Sequence, residues 1–336
     1  MLAFLATHGL DGPPPQQRGD VAVALLLGAR GCAQLAGVPP CRPSPVRVPE
    51  CVAVAYRVGG VAAPAVAGAR VGQWELSWTD AEHAAAVSSV QQAISRGEVY
   101  QANVVGHRRA AFDGDARAVG QALAALPGAT YGGWISGRGW LVASASPEQV
   151  VRVVGDRVTT VPVKGTARDA EVLRASGKDR AEHVMIVDLA RNDLARVART
   201  GSVDVLTLYE LQPWSGLVHA SSTVAADLRK GVGTAEILAA VLPGGSVTGA
   251  PKHAACGLLS ELEPVGRGPS MGAIGLVWPG GLDLGLTIRT VAVADGQIHL
   301  WAGGGITWGS DPMAEVAEAH AKAGPVQQAL RHLALT

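Results

Sequence analysis

The sequence predicts an α+β fold, a β-sandwich with helices, rather than a regular alternation of strands and helices. Of its 336 residues, 48% are apolar and 17% are charged, which is ample for a large core and unlike a disordered chain. Short β-rich runs and helical segments follow one another irregularly, with long separations between the groups of strands. The 43 glycines and 20 prolines are dispersed, which indicates many turns between strands.

The first 75 residues are punctuated by proline and glycine, and their apolar runs at 21–27 and 52–58 are predicted to pair as strands. A helix is predicted to begin after Thr79, because Thr79 and Glu82 have the spacing of a capping box. We therefore predict an abbreviated N-terminal region at 1–75, packed on a main domain at 76–336.

Within the main domain, β-branched runs predict strands and apolar periodicity predicts helices. The predicted strands are 139–145, 150–154, 157–163, 272–277, 284–293 and 298–301. The predicted helices are 178–193, 234–241, 251–262 and 312–335.

Charge, apolar runs and cysteine content limit which partners the protein can bind and where in the cell it is expected. Lys plus Arg and Asp plus Glu number 28 each, so no net field favours nucleic acid or an anionic membrane. No apolar run approaches the roughly 18 residues of a membrane span, and no signal-like segment opens the chain. The four cysteines lack metal-type spacing and no disulfide framework is indicated. We expect a cytoplasmic protein that binds neither nucleic acid nor membrane.

Lys164 stands among apolar and small neighbours in a β-branched run, 158–166, that is typical of a strand entering a turn. One interpretation is an edge-strand lysine whose amine reaches solvent. In the other, burial lowers the pKa of the amine, so that a neutral nucleophile is available near neutral pH. Glu148 lies 16 residues earlier, and a carboxyl beside a nucleophilic lysine is a candidate acid–base group.

Two acidic pairs have the i, i+3 spacing that places both carboxylates on one side of a helix: Asp179 with Glu182, and Glu315 with Glu318. Either pair alone is usual on a solvated helix face. If both pairs converged across a cavity, their oxygens would suit Mg²⁺, which prefers a few carboxylates plus water and the oxygens of a bound anion.

Two glycine-rich segments resemble nucleotide-binding loops only superficially. The segment 244–252 misplaces the lysine of a Walker A loop and has Pro251 where a backbone donor is needed. Gly303, Gly304 and Gly305 lack the spacing of a dinucleotide site, but as a turn their N–H groups could receive a carboxylate.

Arg289 and His219 complete the candidates from the residues alone. Arg289 is a charge inside a β-rich run, which suits either a buried ion pair or a bidentate clamp on a substrate carboxylate. His219 either hydrogen-bonds a ligand or satisfies a polar group in the core. The sequence leaves both pairs of alternatives open.

Together these segments resemble the chorismate-utilising enzymes, the family of anthranilate synthase component I, aminodeoxychorismate synthase component I, and the isochorismate and salicylate synthases. The resemblance covers about residues 80–330 in family order. Its motifs are Tyr100-Gln101-Ala102-Asn103, Ser146-Pro147-Glu148, 162–166, 178–194, 201–203, 244–252, 261–264, 288–290, 302–306 and 315–322. It implies two packed, mainly antiparallel sheets with helices outside and the active site in the cleft between the sheets.

Two positions separate the reactions within this family. Members that add water have lysine where this chain has Gln101, so hydroxylation to isochorismate is not expected. Aminodeoxychorismate synthases have lysine at the position of Lys164, where anthranilate synthases typically have alanine. The resemblance therefore implies an aminodeoxychorismate synthase component I, an aminotransferring synthase of 4-aminobenzoate and folate or related specialised biosynthesis.

The resemblance also implies roles for individual residues. Lys164 would attack C2 of chorismate and Glu148 would protonate the departing C4 hydroxyl. Mg²⁺ would be held mainly by Glu182 and Glu318, with Asp179 and Glu315 behind them through water. The implied substrate-binding residues are Gln101, Gly165, Thr166, His219, Thr248, Arg289, Gly303, Gly304, Gly305 and Lys322.

The chain also departs from the family pattern. Ser270 stands where tyrosine is usual, which puts one substrate contact in doubt, and the short N-terminal region makes feedback inhibition by tryptophan unexpected. No glutaminase segment is recognised, so ammonia is expected from solution or from a separate glutamine amidotransferase subunit. Three alternatives stay open: an anthranilate synthase, a chorismate lyase or isomerase, and a non-catalytic scaffold subunit.

Overall fold

The computed structural model describes residues 21–57 and 66–333. The strands in this part of the chain are β1 (Val21–Leu27), β2 (Cys51–Arg57), β3 (Ala69–Val71), β4 (Glu75–Leu76), β5 (Gln101–Gly114), β6 (Tyr131–Gly137), β7 (Trp140–Ser146), β8 (Gln149–Val154), β9 (Arg157–Val161), β10 (Val163–Ala167), β11 (Asp204–Trp214), β12 (Leu217–Asp227), β13 (Gly249–Ala250), β14 (Ala273–Trp278), β15 (Gly281–Leu286), β16 (Thr290–Ala294) and β17 (Gln297–Ile306). The helices are α1 (Ala29–Ala36), α2 (Asp80–Ser95), α3 (Ala116–Ala124), α4 (Ala170–Ala175), α5 (Gly177–Ala195), α6 (Thr234–Val241), α7 (Lys252–Leu262) and α8 (Pro312–Arg331).

The strands form two sheets whose neighbouring strands are antiparallel. The larger sheet has nine strands in the order β10-β12-β9-β8-β15-β14-β1-β2, with β11 also paired to β12. The smaller sheet has eight strands in the order β13-β5-β17-β16-β7-β6, with β3 and β4 also paired to β5. These two sheets confirm the predicted α+β class and its mainly antiparallel pairing.

The largest core cluster lies between the two sheets. Leu25 and Leu284 of the larger sheet belong to the same cluster as Val142, Ala292 and Trp301 of the smaller one. A second cluster joins α3 and α8 to the smaller sheet, and a third joins α2 and α7 to β5. Helices therefore cover the outside of the sandwich, as an α+β fold requires to bury the second face of a sheet.

The described part of the N-terminal region is continuous with the larger sheet. Strand β1 pairs with β14 on one side and with β2 on the other. The predicted strands at 21–27 and 52–58 are confirmed except for residue 58, which lies outside the described residues. The predicted domain boundary after residue 75 stays a prediction.

Helix α2 begins where the capping-box spacing predicts. The Oγ1 of Thr79 accepts a hydrogen bond from the N–H of Glu82 at 3.2 Å, and the Oε2 of Glu82 accepts one from the N–H of Thr79 at 2.6 Å. These bonds satisfy donors that the first turn of a helix leaves without partners.

Two predicted strands are each divided in the structure. The run 157–163 spans β9, which ends at Val161, and the start of β10 at Val163. The run 284–293 forms two strands, because β15 ends at Leu286 in the larger sheet and β16 begins at Thr290 in the smaller one. Between them Arg289 has a φ of +50°, a left-handed conformation that non-glycine residues seldom adopt. The chain thus crosses between the sheets at Arg289, which a uniformly β-rich run does not reveal.

A buried ion pair ties the segment that follows α7 to β5. Arg267 donates to both carboxylate oxygens of Glu263, at 2.8 and 2.6 Å, and to the backbone carbonyls of Val247 and Asn103. Glu263 in turn accepts from the N–H of Val105 at 3.1 Å. Both side chains are almost fully buried, at 6% and 3% exposure.

Arg267→Ala is therefore expected to lower the free energy of unfolding by about 3–5 kcal/mol, because it leaves the carboxylate of Glu263 buried without its cation. Urea unfolding followed by circular dichroism measures the change. The double variant Arg267→Met with Glu263→Leu leaves no unpaired charge, so it is expected to lose less than the single variant. An equal or larger loss in the double variant would contradict this explanation.

Two further findings concern the described residues as a whole. None of their helices combines the length and the apolar character that a membrane span needs. Cys32, Cys41, Cys51 and Cys256 are free thiols.

Candidate active site

A cavity of about 920 Å³, including its open mouth, lies between the two sheets. It has the size and the mixed apolar and polar lining of a small-molecule site. Thirteen of the sixteen residues predicted to form the site line this cavity. They are Glu148, Lys164, Gly165, Thr166, Asp179, Glu182, His219, Arg289, Gly303, Gly305, Glu315, Glu318 and Lys322.

Lys164 lies on β10, and its amine lines the cavity. Its Nζ donates a hydrogen bond to the Oδ1 of Asn103 on β5, in the opposite sheet, at 3.1 Å. Burial lowers the pKa of the amine; the nearby Lys322 lowers it further, while Glu182 opposes the shift. A lowered pKa increases the fraction of neutral, nucleophilic amine, so the environment is that of the second interpretation given above.

Gly165 shapes the strand next to this lysine. The pairing of β10 with β12 shifts register between Lys164 and Thr166, and Gly165 takes a φ of +70° there. Such a bulge redirects the side chains around it and favours glycine at the left-handed position. The bulge leaves both Lys164 and Thr166 on the cavity wall.

The three glycines 303–305 lie within β17 and pair with β5, so the predicted turn is wrong, while their binding of a carboxylate stays a prediction. A Cβ on Gly305 would stand 2.6 Å from the Nζ of Lys164 and 2.6 Å from the Nε2 of Gln101. Gly305 is therefore needed for space rather than for a turn. A larger residue at this position would displace the amine of Lys164.

Three predicted residues do not line the cavity. Gln101 is fully buried behind Gly305, and neither polar atom of its side chain has a hydrogen-bond partner in the described part of the chain. Thr248 is also buried, and its Oγ1 donates to the carbonyl of Gly244 at 2.9 Å. Gly304 faces Glu315, since a Cβ there would stand 3.0 Å from its Oε2.

Glu148 follows β7 and is 5% exposed. Burial raises the pKa of its carboxyl to about 7, although the Oγ of Ser246 donates to its Oε1 at 2.5 Å and opposes the shift. A carboxyl with a pKa near 7 is protonated in a substantial fraction at neutral pH. It can therefore donate a proton to a leaving group and take one back.

Arg289 and His219 form a polar pair on the floor of the cavity. The Nη2 of Arg289 donates to the Nε2 of His219 at 2.9 Å, and its guanidinium lies 3.5 Å from the ring centroid of Trp214. Burial lowers the pKa of Arg289 to about 9 and that of His219 to about 3. His219 is thus neutral, and its Nδ1–H faces the Oγ1 of Thr166 at 3.0 Å and the carbonyl of Gly165 at 3.2 Å.

Arg289 makes no ion pair among the described residues, and its Nη1 has no hydrogen-bond partner there. An unpartnered guanidinium nitrogen costs free energy when buried, unless a ligand supplies an acceptor. Of the two interpretations of Arg289, the clamp on a carboxylate is the one that these contacts favour.

The two acidic pairs meet at the same cavity, as Mg²⁺ binding would require. Asp179 and Glu182 project from α5, while Glu315 and Glu318 project from α8. Their carboxylates are the hard oxygen donors that Mg²⁺ prefers. In the described residues no group of three or more side chains stands at metal-binding spacing.

Lys322 shares this end of the cavity. Its Nζ contacts the Oε1 of Glu318 at 2.5 Å and donates to the carbonyl of Gly303 at 3.1 Å. The donor set therefore fits Mg²⁺ in its chemistry, but Glu318 would exchange its ion pair for the metal.

Sequence reasoning gave no role to several cavity residues. Asn103 and Ser246 lie inside recognised motifs, but their hydrogen bonds to Lys164 and Glu148 join positions 61 and 98 residues apart in the sequence.

Ser270 stands at the position where the family usually has tyrosine. It is buried, and its Oγ donates a hydrogen bond to the carbonyl of Thr287 at 3.2 Å. The neighbouring Met271 lines the cavity.

A comparison with protein families finds one match that covers most of the chain. The family model described as chorismate binding enzyme matches residues 56–328. The motifs recognised in the sequence and the residues that line the cavity fall within this match.

Among curated proteins, similar relatives carry two different names. Aminodeoxychorismate synthase component 1 of Salmonella typhimurium is 35% identical over 270 residues, which are 77% of this chain and 60% of the relative. Anthranilate synthase component 1 of Streptomyces coelicolor is 38% identical over 299 residues, which are 85% of this chain and 58% of the relative. The matches thus span about three fifths of these relatives' own length.

Among solved structures, anthranilate synthase component I from Streptococcus pneumoniae is similar in fold. It has a TM-score of 0.83 at 22% identity, and the superposition covers 96% of this chain and 85% of that one. At this identity the likeness establishes the fold alone.

Proposed function

The chain belongs to the chorismate binding enzyme family, and from this membership we propose that it is an aminodeoxychorismate synthase component I. In the proposed reaction, chorismate and ammonia give 4-amino-4-deoxychorismate and water. Lys164 carries the proposal, because its amine lines the cavity with a lowered pKa. By resemblance, this lysine separates the C4-aminating branch from the anthranilate synthases.

The first half of the proposed reaction replaces the C4 hydroxyl by a bond to the enzyme. The neutral amine of Lys164 attacks C2, the two ring double bonds shift, and the C4–O bond breaks. Glu148 supplies the proton with which the hydroxyl leaves as water, a role that its pKa of about 7 supports. Asn103 orients the amine by accepting a hydrogen bond from it.

The second half restores the free lysine. Ammonia adds at C4, the double bonds shift back, and the C2–N bond to Lys164 breaks. The carboxylate of Glu148 takes a proton from the added nitrogen, which returns this residue to its acid form. Because ammonia and the lost hydroxyl use the same face of C4, the geometry at that carbon is retained.

Other residues of the cavity would bind the substrate. The unpartnered Nη1 of Arg289 suits the enolpyruvyl carboxylate, and Lys322 lies in the same cavity. His219 accepts a hydrogen bond from the Nη2 of Arg289, so the guanidinium is already positioned when the substrate binds.

Mg²⁺ is part of the proposal. Glu182 and Glu318 would hold it, with Asp179 and Glu315 behind them, and when bound it would withdraw negative charge from the ring carboxylate of the substrate. The supporting observation is that all four carboxylates reach one cavity.

The proposed partner is a separate glutamine amidotransferase subunit that supplies ammonia in the cytoplasm. The relatives named above are called component 1, which supports a second component. Ammonium salts are expected to replace that subunit in the assay.

Product identity tests the proposal. Incubation with chorismate, Mg²⁺ and ammonium is expected to give aminodeoxychorismate, which an added lyase converts to 4-aminobenzoate. Anthranilate synthase activity is the second candidate, since a relative of that name is 38% identical. A fluorescent anthranilate product would replace the proposal with this candidate, and product without ammonia would indicate a lyase or isomerase. No turnover even at high ammonium would favour a scaffold subunit.

The pH dependence is expected to report the acid form of Glu148. Activity should fall as pH rises through about 7, because deprotonation removes the proton that the C4 hydroxyl needs. The bond from Ser246 stabilises the carboxylate and lowers its pKa, so Ser246→Ala should raise this pKa and move the falling limb to higher pH. Profiles of kcat/KM for chorismate measure the limb. An unmoved limb in Ser246→Ala would assign it to another group.

A further inference from the structure

A second cavity of about 410 Å³ lies directly behind Glu148. Glu148 and Ser246 line both this cavity and the active-site cavity, so the two cavities adjoin at this pair. The other lining residues are Val150, Thr160, Pro162, Ile186, Leu189, Ala190, Asp193, Val241, Gly244 and Gly245.

This second cavity extends from the buried Glu148 toward the outside of the sandwich. Ile186 and Val241 are buried in its inner part, whereas Leu189, Ala190 and Asp193 on α5 are only half-buried. Asp193 is held by Lys252, whose Nζ donates to its Oδ2 at 3.0 Å. Between Asp193 and Glu148 the walls are mainly apolar.

We propose that this cavity is the binding site through which ammonia reaches C4 of the substrate. The inference rests on the proposed amination at C4, to which it adds the place where the second substrate enters.

The first argument for this proposal is the position of Glu148. In the proposed reaction Glu148 protonates the hydroxyl at C4, so its carboxyl stands on the face of C4 from which water leaves. In the proposed reaction ammonia adds to that same face, because Glu148 also takes the proton from the nitrogen that adds at C4. The cavity that opens beside this carboxyl therefore delivers a nucleophile to the required side of the ring.

The second argument is that the walls of the cavity are mainly apolar. An unpaired ammonium ion loses its hydration in such surroundings at a high free-energy cost, whereas neutral ammonia loses far less. The walls thus select the species with a free electron pair, which is the one that can attack C4. On addition, the new ammonium nitrogen gives a proton to the carboxylate of Glu148, so no charge is left unpaired in the cavity.

Filling the cavity tests the inference. Ala190→Leu places a larger side chain into it from α5, at a position that does not line the active-site cavity. Ala195→Leu is the matched control, since Ala195 is exposed on the same helix and lines neither cavity. We expect Ala190→Leu to raise the KM for ammonia about tenfold while the KM for chorismate stays unchanged, and Ala195→Leu to behave as wild type.

An unchanged KM for ammonia in folded Ala190→Leu would overturn the inference, as would an equal rise in both KM values. If Ala190→Leu fails to fold, Gly245→Ala carries the test, because its Cβ would lie 3.4 Å from the Cδ1 of Leu189 in the same cavity. Failure of the wild type to aminate chorismate would remove the proposed function and this inference with it. Amination by wild type with unchanged variants would remove the inference alone.

Discussion

Lys164→Ala is expected to reduce the formation of aminodeoxychorismate by on the order of 10³-fold or more, because it removes the nucleophile that adds at C2 and displaces the C4 hydroxyl. The loss should lie in kcat, since Arg289, His219 and Lys322 remain to bind the substrate. Production of 4-aminobenzoate from chorismate, Mg²⁺ and ammonium, with an excess of added lyase, measures the change.

Lys230→Ala is the matched control, because Lys230 is an exposed lysine outside the cavity, in the segment between β12 and α6. It is expected to retain wild-type turnover. Unchanged turnover in Lys164→Ala would remove the covalent mechanism, and ammonia would then have to displace the hydroxyl without a lysine adduct.

Much of the fold follows from local sequence signals. The helix at 234–241 and the start of α2 after Thr79 were predicted to the residue, because turns and caps mark their ends. A cap or a punctuating glycine acts within a few residues, so a single sequence displays it. The apolar run of β1 was likewise delimited by its neighbours.

The failures concern features that depend on distant parts of the chain. Strand β5 runs from Gln101 to Gly114 with its first eight residues buried, so it lacks the alternation that identifies a strand with one wet face. The switch of sheets at Arg289 interrupts a run whose composition is uniform. It is the packing of one sheet on the other that fixes where this run bends.

The site divides in the same way. The motifs identified Lys164, Glu148 and the acidic pairs as candidates, and the structure brings these residues to one cavity. Nothing local connects Ser246 with Glu148, or Gly305 with Lys164, because these residues are far apart in the sequence and meet only in the folded chain. The predicted turn at 303–305 failed for the related reason that glycine serves there to admit neighbouring side chains, not to bend the chain.

Glu148→Gln is expected to lower kcat by about 10²- to 10⁴-fold, the usual contribution of a positioned general acid. Glutamine has nearly the same shape and can still accept the hydrogen bond of Ser246, so packing and the KM for chorismate should change little. It has no proton to give to the C4 hydroxyl, and hydroxide is a poor leaving group. Steady-state kinetics over a range of pH measure both effects.

The pH profile separates this role from a structural one. If Glu148 is the acid, the falling limb near pH 7 should disappear in Glu148→Gln along with most of the rate, because no group with that pKa remains to titrate. Glu261→Gln, at an exposed glutamate near the end of α7, should keep both the rate and the limb. A wild-type rate in Glu148→Gln would assign the proton to another donor. If Glu148→Gln has a low rate but keeps the falling limb, another group titrates near pH 7. Glu148 would then position other groups instead of donating the proton.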